Sequence, residues 1–410
     1  MKYWRGYLVA LIFAAIGWAL VWFASSHTAL VDMVYPYMDR LIINSLADWS
    51  ANVSGCLWQI LVLILTLLGI GGVVAMVLLR RNPIQLIGWI LAVVCCLSMC
   101  STLLYDLNEF AGPISEDVRL DMTDYTVAEL SEATQYYRDQ ANALADSVPR
   151  DSKGRVKLPE FEELAVQAGN GFEKLTYEHA ISLFAGSTAP VKKLGWSLFY
   201  GGKTGALYPL TGEACVNPNV PEVAMPFAMC KEMAKRMTIS REEDAKYAAF
   251  MAAEANDSEL FRYSAYCIAY YYCYHTLAQV PTSTAQQNAK TVHAGANAKL
   301  ISDMESYGKF VGKFKDPKGD SVADMLACAY IQEFVTPLHV EEEDPFDPLD
   351  ASKVDLTYEK PDPTPLQDKT VEKDEDEEDE ESAEDEELTE DEENAENNEE
   401  DNENEDNGDN

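Results

Sequence analysis

Two lysines and a glutamate are arranged at the spacing of a metal-binding motif. The segment reads Lys231-Glu232-Met-Ala-Lys235. In the zinc-binding pattern His-Glu-x-x-His, two imidazoles on one face of a helix bind the metal, and the glutamate activates a zinc-bound water. A lysine ammonium has three donors and no lone pair, so Lys231 and Lys235 cannot bind zinc while they are charged. The spacing therefore predicts a metal site that has lost two ligands, with Glu232 as a vestigial general base.

Three further segments give this motif a context. Residues 205–217 read Gly-Ala-Leu-Tyr-Pro-Leu-Thr-Gly-Glu-Ala-Cys-Val-Asn, residues 241–247 read Arg-Glu-Glu-Asp-Ala-Lys-Tyr, and residues 257–266 read Asp-Ser-Glu-Leu-Phe-Arg-Tyr-Ser-Ala-Tyr. Together with three apolar segments at the N-terminus, their order resembles the bacterial zincin-like membrane proteins grouped as domain-of-unknown-function 3810. The resemblance covers roughly residues 1–335. Without these neighbours, the motif would read as an amphipathic helix with Glu and Lys on its wet face.

The resemblance implies a role for each residue of the motif. Glu232 would be the general base, and Asp244 the third metal ligand, with Glu243 as the alternative. Lys231 and Lys235 stand where the family has its first two ligands, so no cofactor is expected, and zinc only if the lysines do not disable the site. We hypothesise that one of the lysines forms an ion pair with Glu232 and Asp244 where zinc would lie.

The resemblance also implies a groove strand beside the motif helix. In zincins an edge strand lies alongside the active-site helix and can pair with the backbone of an extended peptide. That strand would fall on Glu213, Ala214, Cys215, Val216 and Asn217. The alternative is an ordinary hairpin packed under a helical domain.

Hydropathy divides the chain into an anchor, a domain and a tail. Apolar segments at about residues 7–24, 56–79 and 84–104 predict three transmembrane helices, joined by a loop over 27–55 and a short hairpin. Lys2 and Arg5 flank the first segment, and Arg80 and Arg81 lie in the hairpin, so the positive-inside rule places both in the cytoplasm. Residues 106–340 are therefore expected to form an extracytoplasmic zincin-like domain of the cell membrane.

The domain is expected to be mostly α-helical with a small sheet, an α+β architecture. Thr126 and Glu129 form a capping box that opens a helix to about Leu144. A polar turn covers 151–159, and the glycines and aromatics of 196–216 favour strands. Further helices are expected at about 177–186, 222–237, 241–255, 258–278, 292–309 and 319–335.

Most of the negative charge lies in the tail. Of the 69 Asp and Glu residues, 35 lie within 341–410, against 4 of the 31 Lys and Arg. This composition predicts a disordered segment that could bind cations or a basic protein, or could simply act as a solvated spacer. No basic patch indicates nucleic-acid binding. The expected partners are the lipid bilayer and an extended peptide or envelope polymer.

The cysteines, tyrosines and histidines of the domain are interpreted mainly as structural residues. The five cysteines are odd in number and form no CxxC pair, so their disulfide pairing is left open; they are Cys215, Cys230, Cys267, Cys273 and Cys328. The tyrosines of 263–274 fit core packing better than a ligand-facing cluster. His179 and His275 are isolated and are interpreted as structural.

Three functions remain open at this point. The first is a membrane-anchored pseudo-peptidase that binds a peptide or an envelope partner. The second is an active hydrolase with a shifted metal site built from Glu232, Glu243, Asp244 and His179. The third is an architectural envelope protein with a vestigial groove. Metal content, and the dependence of any activity on Glu232, would separate the first two.

Overall fold

A computed structural model describes residues 4–80, 83–118, 125–177, 182–186, 189–196, 200–313 and Tyr330. Three of the helices in these ranges are long and apolar enough to span a membrane, as predicted. They are α1 (Arg5–Ser26), α3 (Leu57–Leu78) and α4 (Ile84–Leu104). The predicted helix over 319–335, apart from Tyr330, and the predicted disorder of the acidic tail lie outside these ranges.

α1 and α4 pack backbone against backbone at two glycines. A Cβ atom on Gly6 would lie 2.5 Å from the carbonyl carbon of Gly88, so neither position leaves room for a side chain. The Tyr7 hydroxyl donates a hydrogen bond to the Ile84 carbonyl at 3.0 Å. Small residues allow this close approach, which is a common basis of helix association in lipid.

The connection between α1 and α3 is a helix, and the prediction of a loop over 27–55 was wrong. The helix α2 (Thr28–Ala51) has 24 residues and contains Pro36. Its sequence mixes apolar residues with Asp32, Asp39, Arg40 and Asp48. The segment is not apolar enough to be taken for a spanning helix, but Asp39 and Arg40 lie on the face that packs against the protein and are buried.

The domain after α4 is mostly helical. A capping box at Thr126 opens α6 as predicted, because its hydroxyl accepts from the Glu129 amide and the Glu129 carboxylate accepts from the Thr126 amide. α8, α9 and α10 lie close to the predicted ranges. The helices are α5 (Ile114–Asp117), α6 (Val127–Ala145), α7 (Phe161–Tyr177), α8 (Met225–Arg236), α9 (Glu242–Glu254), α10 (Glu259–Gln279), α11 (Ser283–Ala294) and α12 (Ala298–Val311).

Two parts of the helical prediction were wrong. α7 ends at Tyr177, where a helix was expected to begin, and the described part of 177–186 contains a 3₁₀ turn at Ser182–Phe184. Gly169-Asn170-Gly171 within α7 has the composition of a turn, but Gly171 lies against the backbone of Ala252 in α9, where a side chain would not fit. α11 was also missed, and α12 begins later than the predicted 292–309.

A small mixed sheet lies beside α8. In the described ranges its strands are β1 (Lys192–Lys193), β2 (Gly205–Tyr208) and β3 (Glu213–Val216), in the order β1-β3-β2. β3 pairs parallel to β1 and antiparallel to β2, with Gly205 opposite Val216 and Tyr208 opposite Glu213. α10 lies in the main hydrophobic core, where it packs mainly against α6, α9 and α11.

Candidate functional site

The motif lysines lie on the buried helix α8. A proline in the first turn fits the start of the helix, since the first amides need no intrahelical acceptor. Met237 to Arg241 turn the chain, with Thr238 at a φ of 72°, and α9 begins at Glu242. The first residue of α9 is thereby brought against the last two turns of α8. Lys231 is 4% exposed and Glu232 is fully buried.

Glu242 is the partner of both motif lysines. The Lys231 ammonium lies 2.7 Å from one carboxylate oxygen of Glu242, and the Lys235 ammonium lies 2.6 Å from the other. Lys246, one turn further along α9, places its ammonium 3.8 Å from the first oxygen and 5.1 Å from the centre of the Tyr272 ring. One carboxylate therefore lies among three ammonium groups.

The electrostatics of the cluster favour its charged form. Burial alone would raise the pKa of Glu242, but Lys231, Lys235 and Lys246 outweigh it and hold that pKa well below the usual range. Burial likewise opposes the charged form of Lys235, but the attraction of Glu232 and Glu242 raises its pKa above normal. Glu242 and Lys235 thus stay ionised at neutral pH.

The Glu232 carboxylate is enclosed by neighbouring residues, whereas a general base must be able to contact a water molecule. One of its oxygens lies 3.3 Å from the Lys231 ammonium and accepts from the Thr204 hydroxyl at 3.4 Å. The other has no hydrogen-bond partner among the described residues. β2 covers the carboxylate, since a Cβ on Gly205 would lie 2.6 Å from the Glu232 Cγ. Burial, followed by the charges of Glu232 and Glu242, raises the pKa of the nearby Tyr105 phenol.

The structure does not bring Asp244 or Glu243 to the lysines. Asp244 packs beside the backbone amide of Ile114 and the guanidinium of Arg241; burial raises its pKa to about 6, although both of these groups lower it. The acid opposite the motif is Glu242, which the sequence reasoning missed. No signal in the sequence singles it out, because three consecutive acids begin α9 and the turn before them decides which one faces α8.

The side chains of this cluster do not fit a zinc ion. Zinc in proteins is held by imidazole, thiolate or carboxylate groups, and a catalytic site has three such ligands. The cluster offers two carboxylates, and its remaining groups are ammonium donors. No group of three or more His, Cys, Asp or Glu side chains that could hold a metal ion occurs within the described ranges.

The segment expected to form the groove strand occupies the middle of the sheet. β3 pairs with β2 along its whole length and with β1 at Cys215 and Val216. All four of its residues, Glu213, Ala214, Cys215 and Val216, are buried, as is Asn217. The expectation of an edge strand there was wrong. Among the strands of the described ranges β2 is at the edge, paired with β3 alone.

Glu213 instead joins the sheet to a membrane-length helix. Its carboxylate accepts from the backbone amides of Leu57 at 2.7 Å and Trp58 at 2.8 Å, at the start of α3. The Lys192 ammonium lies 2.6 Å away, and the Thr211 hydroxyl donates at 2.8 Å. A second link joins Gln59 and Gly195 by two hydrogen bonds, of 2.9 and 2.7 Å.

The other singled-out side chains have structural surroundings. The Tyr263 hydroxyl donates to Asp303 at 2.7 Å, and that of Tyr266 donates to Glu254 at 2.9 Å, which fits core packing. The His275 ring contacts Tyr271, with 4.3 Å between ring centres, and burial lowers its pKa. The cysteines in the described ranges are free thiols, and Cys328 and His179 lie outside those ranges.

Comparison with protein families identifies the chain. Residues 32–330 match the family described as "Protein of unknown function (DUF3810)". The match covers more than half of the sequence, so the chain belongs to this family. No curated protein and no solved structure matches it.

Proposed function

We propose that this protein is a membrane-anchored, zincin-like pseudo-peptidase in which an ion-pair cluster stands in place of a catalytic metal. The observation that supports it is the pairing of Lys231 and Lys235 with the two oxygens of Glu242. Lys231 and Lys235 of α8 both bind the carboxylate of Glu242 in α9. Metal ligands contributed by the same two helices would surround a metal ion in a similar way.

The cluster is a structural element of the domain on this proposal. Three ammonium groups and two carboxylates are nearly neutral as a set, and Lys231 and Glu232 are almost completely withdrawn from water. Removing one member of such a buried pair usually costs about 3–5 kcal/mol, because the other charge is left uncompensated. The positive charge of the lysines would thus stabilise the buried carboxylates as a metal ion would, but it would not activate a water molecule.

The sheet supplies the proposed binding function. β2 lies at the edge and is half-buried, and its Gly205 contacts Glu232 on the motif helix. An edge strand can add an extended peptide by main-chain hydrogen bonds. The partner would be an extended peptide or an envelope polymer bound at β2, and the domain would lie outside the cell membrane, as the basic residues near α1 and in the α3–α4 hairpin indicate.

An active hydrolase and an architectural role are less well supported by the contacts of the described residues. A shifted hydrolytic site would need Asp244 close to Glu232, but Asp244 packs toward Ile114 and Arg241, and Glu232 is covered by β2. An architectural role is supported by the tight links of Glu213 and Gln59 to α3. Binding of cations or of a basic protein by residues 341–410 stays a prediction.

Metal content of the full-length protein tests the proposal. The wild-type chain and a Lys231→His, Lys235→His variant are purified in detergent from zinc-supplemented cells, and bound zinc is measured. We expect no zinc in the wild type and about one per chain in the double variant, since two imidazoles and Glu242 then supply three ligands. Adding Glu242→Gln should abolish the gain, whereas adding Asp244→Asn should leave it.

Each alternative result has a definite meaning. Stoichiometric zinc in the wild type would overturn the pseudo-peptidase assignment. A double variant that unfolds at the wild-type temperature but binds no zinc would show that the cluster lacks the geometry of a metal site. For the binding function, a photoreactive residue at Leu207 should cross-link the same partner with and without residues 341–410. Loss of the product on deletion of the tail would favour the architectural role.

A further inference from the structure

The helix α2 has an apolar face that the described part of the protein does not cover. Its large apolar side chains recur at spacings of three and four residues, which places them on one side of the helix. Leu41 is 71% exposed and Met33 is 65% exposed. The face is formed by Leu30, Met33, Val34, Tyr37, Met38 and Leu41. A contiguous apolar surface of this kind marks an interaction site.

The opposite face of α2 is bound to the domain. The Arg40 guanidinium donates to the carbonyls of Met237 and Ser182, both at 3.3 Å. Ile43 and Ala47 pack directly against Gly212, where no side chain would fit. α2 therefore has the domain on one side, and its apolar face points away from the domain.

The N-terminal half of α2 lies at the ends of α1 and α4. One residue, His27, separates α1 from α2. The Tyr35 hydroxyl donates to the Leu103 carbonyl in the last turn of α4. The Asn108 amide, just beyond α4, donates to the Asp39 carboxylate at 2.5 Å.

The C-terminal half of α2 lies at the start of α3. Ile43 and Ala47 contact Gly212, whose neighbour Glu213 binds the first amides of α3 at Leu57. In a chain whose helices cross the bilayer in alternating directions, α1 and α4 end at the surface where α3 begins. Both halves of α2 are therefore held at one membrane surface.

We propose that α2 lies in the plane of that membrane surface, with its apolar face immersed in lipid at the boundary of headgroups and acyl chains. A helix of 24 residues is about 36 Å long, and its length is in the range of about 20–30 residues that many interfacial helices have. Tyr37 and Trp49 are exposed on this helix, and such aromatic residues favour the membrane interface. The lipid bilayer is the occupant because the spanning helices hold α2 against it at both halves.

The charges of α2 predict how it binds lipid. Its basic residue, Arg40, is buried against the domain, and the charged residues on its exposed surface are Asp32 and Asp48. Insertion should therefore rest on the burial of apolar area and not on attraction to anionic headgroups. Arg40 of α2 also donates a hydrogen bond to the Met237 carbonyl at the end of α8. The helix that contacts lipid is thus bound directly to the helix that carries Lys231 and Lys235.

Site-directed photo-cross-linking tests the proposal on the full chain. A benzophenone amino acid replaces Leu41 on α2, Leu68 on α3 as the lipid-exposed reference, or Lys309 on α12 as the water-exposed control. Leu68 is 66% exposed, and the Lys309 side chain is 76% exposed. Each protein is reconstituted in phosphatidylcholine vesicles with and without phosphatidylglycerol, irradiated, and examined by mass spectrometry for lipid adducts.

The outcomes separate the possible occupants of the face. We expect the Leu41 position to give lipid adducts within about twofold of the Leu68 position and about tenfold above the Lys309 position, with no dependence on phosphatidylglycerol. Cross-linking of Leu41 to a second copy of the chain would overturn the proposal in favour of a dimer interface. A yield at Leu41 equal to that at Lys309 would overturn it in favour of a face in water.

Discussion

The carboxylate of Glu213 accepts a hydrogen bond of 2.7 Å from the backbone amide of Leu57, so a buried strand of the domain caps a membrane-length helix. Cys56 at the N-cap of α3 makes no side-chain cap of its own. The first amides of a helix need an acceptor, and a negative charge there interacts favourably with the helix dipole. Glu213 meets both needs from 156 residues away and ties the sheet to the anchor.

We predict that Glu213→Gln destabilises the protein by about 3–5 kcal/mol. The side chain keeps its size, but the nearby Lys192 ammonium loses its counter-charge in a buried setting, and the cap of α3 is weakened. Chemical unfolding of the full chain in detergent, followed by circular dichroism, measures the change.

An exposed ion pair provides the control for this prediction. Lys193 and Glu162 are 3.3 Å apart, with the Glu162 side chain 76% exposed, so Glu162→Gln should leave the stability unchanged within experimental error. Adding Lys192→Met to Glu213→Gln should recover part of the loss, because it removes the unpaired charge. Equal effects of the two single substitutions would show that the Glu213 site is not a buried pair.

Glu242→Gln is predicted to destabilise the domain by about 3–5 kcal/mol, since it leaves Lys231 and Lys235 without a full counter-charge. Glu243→Gln is the matched control, one residue further along α9, and should cost less than about 1 kcal/mol. Unfolding of the two variants under identical conditions gives the comparison. A larger loss for the Glu243 variant would contradict the assignment of Glu242 as the acid of the cluster.

Lys231→Met is predicted to destabilise the protein by about 2–4 kcal/mol, because Glu232 then loses its nearest cation while fully buried. Lys299→Met serves as the control, since Lys299 pairs with Asp146 at the surface, with side chains 45% and 71% exposed. A change below about 0.5 kcal/mol for Lys231→Met would indicate that the motif lysines are ordinary surface residues.

Periodicity and capping chemistry predicted the elements whose apolar pattern is strong. α3, α4 and α10 have long apolar or aromatic faces, and Thr126 and Glu129 mark the start of α6 by local hydrogen bonds alone. α2 and α7 were missed because tertiary contacts decide them. The buried charge of Arg40 is satisfied by carbonyls of distant segments, and Gly171 is needed for the close approach of α7 to α9.

The same limit applies to the candidate site. The motif spacing correctly places Lys231 and Lys235 on one helix, one turn apart. The identity of their acid partner depends on the turn at 237–241, whose geometry includes a positive φ at Thr238. Three consecutive acids begin α9, and sequence alone does not show which of them faces α8. β3 was likewise recognisable as a strand, but its central place in the sheet depends on pairing with β1.

The buried carboxyl of Asp39 predicts a pH dependence of stability. Burial raises its pKa to about 7, although the Asn108 amide and Arg40 lower it. A carboxyl whose folded pKa is raised contributes stability that is fully present below its unfolded pKa, near 4, and is lost as the pH rises through about 7. Asp39→Asn should therefore raise stability at pH 8 by about 2–4 kcal/mol and leave it nearly unchanged at pH 4.

Unfolding free energies measured at pH 4, 6 and 8 check this dependence. Asp244→Asn is the companion variant, with a predicted loss of pH dependence between about pH 4 and 6, because its folded pKa is about 6. Equal gains at pH 4 and pH 8 for Asp39→Asn would show that the effect comes from packing and not from protonation.

Gly205→Ala tests how closely β2 covers the motif glutamate. The added Cβ would lie 2.6 Å from Cγ and 2.7 Å from the carboxyl carbon of Glu232, so we expect a loss of about 1–3 kcal/mol from overpacking. Gly71→Ala is the control, because no atom lies within 4 Å of the added methyl, and it should not destabilise the protein. The added Cβ would also lie 2.4 Å from the Cys215 carbonyl oxygen of β3, and this contact stays in a Glu232→Ala background, whereas the contacts with Glu232 are removed. The cost of Gly205→Ala should therefore shrink in that background but not vanish. An unchanged cost would mean that the whole effect comes from Cys215 and that β2 does not rest on Glu232.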